Sequence, residues 1–219
     1  MKKRTIVYID GFNLYHGLKS KHGKKYMWLD IGNFSNHLTP IDHSLIVAKY
    51  FTSRIKPDSS DPDKPKRQAL YLRAIKSLAP RVIIIEGNYQ VFQSHCKHCN
   101  TYISCSNCGT PHFKPNEKKT DVNIATALLV DAFENKCDQQ ILVSGDSDYE
   151  NTLIELRRLF PEKELIIAFP PKRRNNKLIG ENKCTLAFDI QEDAFSQSQL
   201  PETISLSDGK VIQKPAEWI

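Results

Sequence analysis

Two apolar runs that end on acids constrain this chain more than any other feature. Ile6-Val7-Tyr8-Ile9 stops at Asp10, and Gly11-Phe12-Asn13 opens a helical segment behind it. Ile141-Leu142-Val143 runs through Ser144-Gly145 into Asp146 and Asp148. Runs this short, apolar and β-branched read as strands buried on both faces, which calls for a parallel sheet covered by helices. In such sheets ligands bind beyond the carboxyl ends of the strands. A third segment, Asp121–Phe133, opens on an acid and is apolar at Ile124, Ala125, Leu128, Leu129 and Ala132, a helical spacing. Two strand ends and one helix start could therefore gather Asp10, Asp121, Asp146 and Asp148 into one pocket. Such a cluster repels itself unless its pKa values rise or cations neutralise it. Mg²⁺ or Mn²⁺, which take oxygen ligands, are the expected neutralisers.

Further strands are expected at Leu45–Ser53, Arg81–Glu86, Glu164–Phe169 and Thr185–Asp189, with helices at Asn13–Lys21, Lys66–Leu78 and Tyr149–Leu159. The alternation argues for βαβ units around a mainly parallel sheet with helices on both faces. Residues 58–65 read as a polar, proline-rich loop and residues 94–116 as irregular. Ser207-Asp208-Gly209-Lys210 between short apolar runs is a hairpin signal, so the last segment is either a small β-appendage or a flexible arm.

A hydrophobic content of 40% over 219 residues supports a full core, and no apolar run is long enough to span a membrane. Met1-Lys2-Lys3-Arg4 leads directly into a strand, without the apolar stretch of a signal peptide, so a cytoplasmic location is expected. Cysteines in that reducing compartment are not expected to form a disulfide framework. The net charge of +6 favours a polyanionic partner. Lys118 and Lys119, with Lys172, Arg173 and Arg174, are the basic residues expected to hold phosphates; Lys2 to Arg4 and Lys64 to Arg67 add positive surface. Any one of these runs could instead be a solvated face.

Each acid also has a plain reading. Asp10 and Asp121 could cap helices, and Asn13 and Ser144 could be turn residues rather than groups that hold water or phosphate. Taken together, the acids point to a metal-dependent hydrolysis in which a bound ion lowers the pKa of water and stabilises charge growing on a phosphate. No Ser or Cys with a matched His and acid stands out as a covalent nucleophile. A phosphatase that uses the first strand-end Asp would need a second acid two residues on, where Phe12 stands.

Cys96-x2-Cys99-x5-Cys105-x2-Cys108 supplies the four thiolates that structural zinc prefers. Free or redox-active thiols are the alternative, and His95, His98 or His112 could replace a cysteine. Lys97, Asn100, Tyr102, Phe113 and Lys114 beside it suit nucleic-acid contact; the module could equally brace a loop or contact a protein. Cys137 and Cys184 are expected to be core or surface thiols. Tyr8, Phe12, Tyr15 and Trp28 could line a base-binding groove or fill the core; His16 could face the pocket or solvent. Glu86 could add a carboxylate, and Asp131 is expected in a salt bridge or solvent.

Val7-Tyr8-Ile9-Asp10-Gly11-Phe12-Asn13-Leu14, Lys119-Thr120-Asp121-Val122 and Val143-Ser144-Gly145-Asp146-Ser147-Asp148-Tyr149, in this order, resemble the NYN domain of the PIN-like nuclease superfamily, in its LabA-like branch. The resemblance covers roughly residues 4–190. It implies a Rossmann-like three-layer α/β/α sandwich and Mg²⁺-dependent endoribonuclease activity. The family's acids fall on Asp10, Asp121, Asp146 and Asp148, and its strand-end Asn on Asn13. The expected organisation is a nuclease domain over 1–190, a zinc-binding insert at 94–116 within it that departs from the simplest domain of this type, and a tail or small β-appendage over 191–219. The expected partner is single-stranded or structured RNA, with DNA, and a homodimer, left open. A non-catalytic RNA-binding regulatory module is the alternative.

Overall fold

A computed structural model of the chain describes residues 2–57, 61–206 and 208–218, and the backbone alone for 114–117. The expected loop positions 58–60, the Lys114 side chain and Ser207 of the hairpin signal lie outside the described residues.

The first strand, β1 (Lys3–Asp10), feeds α1 (Gly11–His22), then α2 (Ile31–Leu38), β2 (His43–Thr52), α3 (Lys64–Leu78) and β3 (Val82–Glu86). An excursion follows: β4 (Asn88–Gln93), β5 (His95–Cys96), β6 (Thr101–Tyr102) and β7 (Phe113–Lys118). The chain then returns through α4 (Thr120–Phe133), β8 (Gln139–Val143), α5 (Glu150–Leu159), β9 (Glu164–Phe169) and β10 (Leu186–Asp189). It closes with α6 (Glu192–Ser196), β11 (Thr203–Ser205) and β12 (Val211–Gln213).

Six strands form one parallel sheet in the order β10-β9-β8-β1-β2-β3. The chain builds to one side of β1, then comes back to build on the other. The switch point therefore lies between β1 and β8, where neighbouring connections leave in opposite directions and open a crevice. Alternation along β1 divides the core. Val7 and Ile9 pack with Leu14, Ile31, Phe34, Leu72 and Ile75 of α1, α2 and α3. Ile6 and Tyr8 pack with Ile124, Leu128, Leu153 and Leu156 of α4 and α5. Successive side chains of a strand point to opposite faces, so one short apolar run anchors both helical layers. The chain adopts the expected α/β class, a Rossmann-like three-layer sandwich.

Two features differ from the sequence reading, and a third concerns a segment that it left open. The segment Ile31–Leu38 is helical: Asp30 accepts a hydrogen bond from the Asn33 backbone N–H at 3.0 Å, and Ile31 and Phe34 are buried. Residues expected to be irregular form a two-stranded antiparallel ribbon, β4 with β7, carrying the smaller β5–β6 hairpin beyond it. Asn88, Gln90 and Gln93 interrupt the apolar pattern of β4, and none of that strand's side chains is fully buried. The final segment also packs on the domain: α6 buries Phe195, and the β11–β12 hairpin buries Ile204 and Ile212 in the α1–α3 layer. Tyr8 and Trp28 are core residues. Among the described residues, no helix is long and apolar enough to cross a membrane.

Candidate active site at the switch point

Asp10 ends β1 with almost no exposed surface. Its two oxygens do different things. Oδ1 accepts from the Asn13 backbone N–H at 3.0 Å and so caps α1. Oδ2 accepts from the Ser144 hydroxyl at 3.0 Å and from the Tyr149 hydroxyl at 3.4 Å. The capping reading and the site reading of Asp10 are thus compatible.

The strand-to-helix turn after β8 is tied to the turn after β1. The Gly145 N–H donates to Asn13 Oδ1 at 3.1 Å, and the Asp146 N–H donates to the Ser144 hydroxyl at 3.1 Å. Asp146 Oδ1 accepts from the Asp148 N–H at 3.1 Å, which starts a 3-10 turn before α5. Gly145 is required sterically. A Cβ there would lie 1.7 Å from the Arg173 carbonyl oxygen, because the loop after β9 crosses directly over it.

Asp121 reaches the same place from the ribbon. Lys119 adopts a left-handed conformation, φ 77°, which turns the chain sharply from β7 into α4 and sets Asp121 in the first turn of that helix. Such a φ on a non-glycine residue costs about 1 kcal/mol or more. Beneath this turn, Gly87 has no room for a side chain: a Cβ would stand 2.4 Å from Thr120 Oγ1 and 2.6 Å from Ser53 Oγ. Asp121 Oδ1 accepts from the Tyr149 hydroxyl at 2.9 Å. One phenol therefore touches the carboxylates of Asp10 and Asp121.

The electrostatics follow from crowding. The pKa of Asp121 is raised, first by the packing around its carboxyl and then by the negative charges of Asp146 and Asp148, against the opposing hydrogen bond from Tyr149. The Tyr149 hydroxyl is pushed up as well, by burial and then by Asp10 and Asp121, so it remains a protonated donor. Among the described residues no Lys or Arg forms an ion pair with Asp121, Asp146 or Asp148. Tyr149 is the member to which the sequence reading assigns no role: there it only starts a helix and closes the third matching segment. Its position directly after the paired acids of a strand-end turn was the available signal.

Other expectations fall out differently. Glu86 is held by the Arg54 guanidinium at 2.8 Å and does not join the acids. Asp131 is buried under Lys49 and Tyr8, whose hydroxyl donates to it at 2.8 Å. Of the basic residues, Lys118 lies over the Phe92 ring, Lys172 donates to the Ser20 carbonyl, and Arg174 pairs with Asp189. Arg173 lies beside Gly17, and its carbonyl covers Gly145. Phe12 stacks on Tyr89 of the ribbon at 6.3 Å, so the ribbon's base stands against the start of α1.

The four insert cysteines stand as two similar turns. Cys96 contacts Cys99, and Cys105 contacts Cys108. Each turn is followed by a left-handed residue, Asn100 or Gly109, and then by a threonine whose hydroxyl meets the second thiol at 2.9 or 3.0 Å. Among the described residues, no three His, Cys, Asp or Glu side chains stand close enough together to hold a metal ion, here or at the crevice.

A three-layer sandwich with strand-end carboxylates at its switch point defines a class of α/β domain, and the sequence places the chain within it. Residues 4–186 match the NYN domain, and the chain belongs to that family. It is 31% identical to the 6-hydroxy-3-succinoylpyridine 3-monooxygenase HspA of Pseudomonas putida, over 98% of this chain and 75% of that protein. The crystal structure of a protein of unknown function from Vibrio parahaemolyticus shares the fold at a TM-score of 0.53 and 18% identity, covering 88% of this chain and 95% of that one.

Proposed function

We propose that the chain is a divalent-metal-dependent endoribonuclease whose site is Asp10, Asp121, Asp146 and Asp148. The single observation that carries this reading is the meeting of Asp10 and Asp121, distant in sequence, on the Tyr149 hydroxyl, with Asp146 and Asp148 near enough to raise the pKa of Asp121. A raised carboxylate among other carboxylates marks a place short of positive charge. The donor set is all oxygen and suits Mg²⁺ or Mn²⁺, although the side chains would have to draw closer to enclose the ion. Bound there, the ion would supply Lewis acidity and a water of lowered pKa. Membership of the NYN family supports nucleic acid as the substrate.

The chain's own residues have distinct tasks in this reading. Ser144 is fully buried, and its hydroxyl is committed to Asp10 and to the Asp146 N–H, so it positions a carboxylate rather than binding water. Asn13 uses its carbonyl oxygen on the Gly145 N–H, and its amide NH₂ would be the donor for water or a phosphate oxygen. Tyr149 holds Asp10 and Asp121 at a fixed separation. Lys118, Lys119, Lys172, Arg173 and Arg174 would hold the phosphates of single-stranded or structured RNA, and exposed Phe92, Tyr102 and Phe113 on the ribbon would offer stacking faces.

The insert would bind structural zinc through Cys96, Cys99, Cys105 and Cys108. The likeness of its two turns supports this, since paired thiols presented twice are the donor chemistry of a closed tetrahedral site. The ion would supply folding energy to a ribbon tip that has no core of its own.

The test is to incubate the protein with RNA and with DNA in Mg²⁺, Mn²⁺ or EDTA, beside Asp146→Ala. Metal-dependent RNA products from the parent and none from the variant support the reading; cleavage by the variant defeats it. A second reading follows from the Pseudomonas relative: oxidation of an aromatic heterocycle. It predicts uptake of oxygen and of a reductant, with no cut RNA. A non-catalytic module predicts salt-sensitive RNA binding and neither product.

A further inference from the structure

A cavity of about 180 Å³ opens where α1, β2 and α3 meet. Its wall begins one residue after Asp10, with Gly11 and Phe12, and continues through Tyr15, Tyr50 and Tyr71 to Trp218. The aromatic walls meet at angles rather than lying flat together. Tyr71 is edge-on to Tyr50 with centroids 6.5 Å apart, and edge-on to Trp218 at 5.7 Å. Rings so arranged form a box with apolar sides. A cavity of about 150 Å³ already holds a benzene ring, so the space suits one planar ring.

The mouth is positive. Lys19 and Lys64 lie 6.0 and 5.7 Å from the centroid of Tyr15, and Lys24 also lines the opening. Other nearby cations are already engaged: Arg67 by Asp61 and Glu217, and Lys66 by Asp63. Among the described residues, the three lysines of the mouth have no such carboxylate partner. The Asp61 carboxylate is the acid on the wall, and it faces Arg67. His16 reports the local field: its pKa is lowered, first by burial and then by Arg173, Lys64 and Lys19.

We propose that this cavity binds a planar aromatic ring carrying an anionic group, the ring among Tyr15, Tyr50, Tyr71 and Trp218 and the anion at Lys19 and Lys64. Two sources have that chemistry. One is a nucleotide unit of an RNA strand whose phosphate passes Asp10, a source that rests on the nuclease reading. The other is a free aromatic acid.

The experiment titrates the full metal-free chain, in EDTA, with uridine 5′-monophosphate, uridine and benzoate. Tryptophan fluorescence follows binding, because Trp218 lines the cavity, and calorimetry checks it. At least one of the two anions should bind saturably and at least tenfold tighter than uridine. Lys19→Glu with Lys64→Glu should weaken that anion tenfold or more and leave uridine unchanged. Tyr15→Leu, which keeps an apolar side chain but removes a ring, should weaken all three probes. A preference for the monophosphate assigns the RNA strand as source, and a preference for benzoate assigns the free acid; either supports the site. No saturable binding of any probe, or anion binding that is the same in the double variant, overturns it. No metal is present and no bond is cut, so the result is separate from whether the chain cleaves RNA.

Discussion

Tyr149 shows how much a single side chain can organise. Its hydroxyl is the link between a carboxylate that ends β1 and one that starts α4. Tyr149→Phe should leave the ring packed but remove the donor, costing about 1–3 kcal/mol in chemical denaturation and lowering any cleavage rate without changing the far-ultraviolet circular dichroism. Asp121 adds its own pH dependence to stability. Its folded pKa lies above the ordinary 3.8, so the folded state holds that proton more tightly than the unfolded one. Metal-free protein should therefore lose this contribution as pH rises through the raised value, and regain it on acidification towards 3.8. Asp121→Asn should raise the Tm near neutral pH in EDTA, with the gain fading as pH falls; a gain that does not fade would remove Asp121 from the crowded set. Position 145 tolerates no side chain, because the Arg173 carbonyl stands where a Cβ would be. Gly145→Ala should displace the loop after β9 and lower the Tm by several degrees.

At the scale of elements, the site depends on how helices and ribbon enter it. Lys49 of β2 and Asp131 of α4 tie the α4 layer to the sheet under Tyr8. Asp131→Ala leaves that lysine without its buried partner and should cost about 3–5 kcal/mol, read as a shift in denaturation midpoint. Among the described residues, the tip of the ribbon adds nothing to either core cluster. On the zinc reading proposed above, the parent chain should carry stoichiometric zinc in elemental analysis, and replacing Cys96 and Cys99 by serine should abolish it while the thermal unfolding of the α/β core persists. The sequence exposed the sheet strands as short continuous apolar runs, buried on both faces, and the long helices by their repeat. It hid α2, whose single turn-and-a-half of burial is too short to show a period, and it hid the ribbon, where β4 has no buried face to set an alternation.

At the scale of the whole molecule, the positive excess is spread over surfaces while Asp10 and Asp121 meet at one crevice, so on the nuclease reading proposed above RNA binding should weaken steeply with salt and be insensitive to metal removal, as gel-shift titration from low to physiological ionic strength would report. The amino-acid sequence by itself determined the α/β class, the sheet strands, and which acids end them, because burial on two faces and the strand-end position are written in local pattern. Tertiary structure decided what those patterns meet. It placed Tyr149 between Asp10 and Asp121, committed Ser144 to a carboxylate, paired Glu86 away with Arg54, and brought Trp218 against Tyr71 beside α1. Such contacts join residues far apart along the chain, and their distances are fixed only when strand order and helix packing close the sheet.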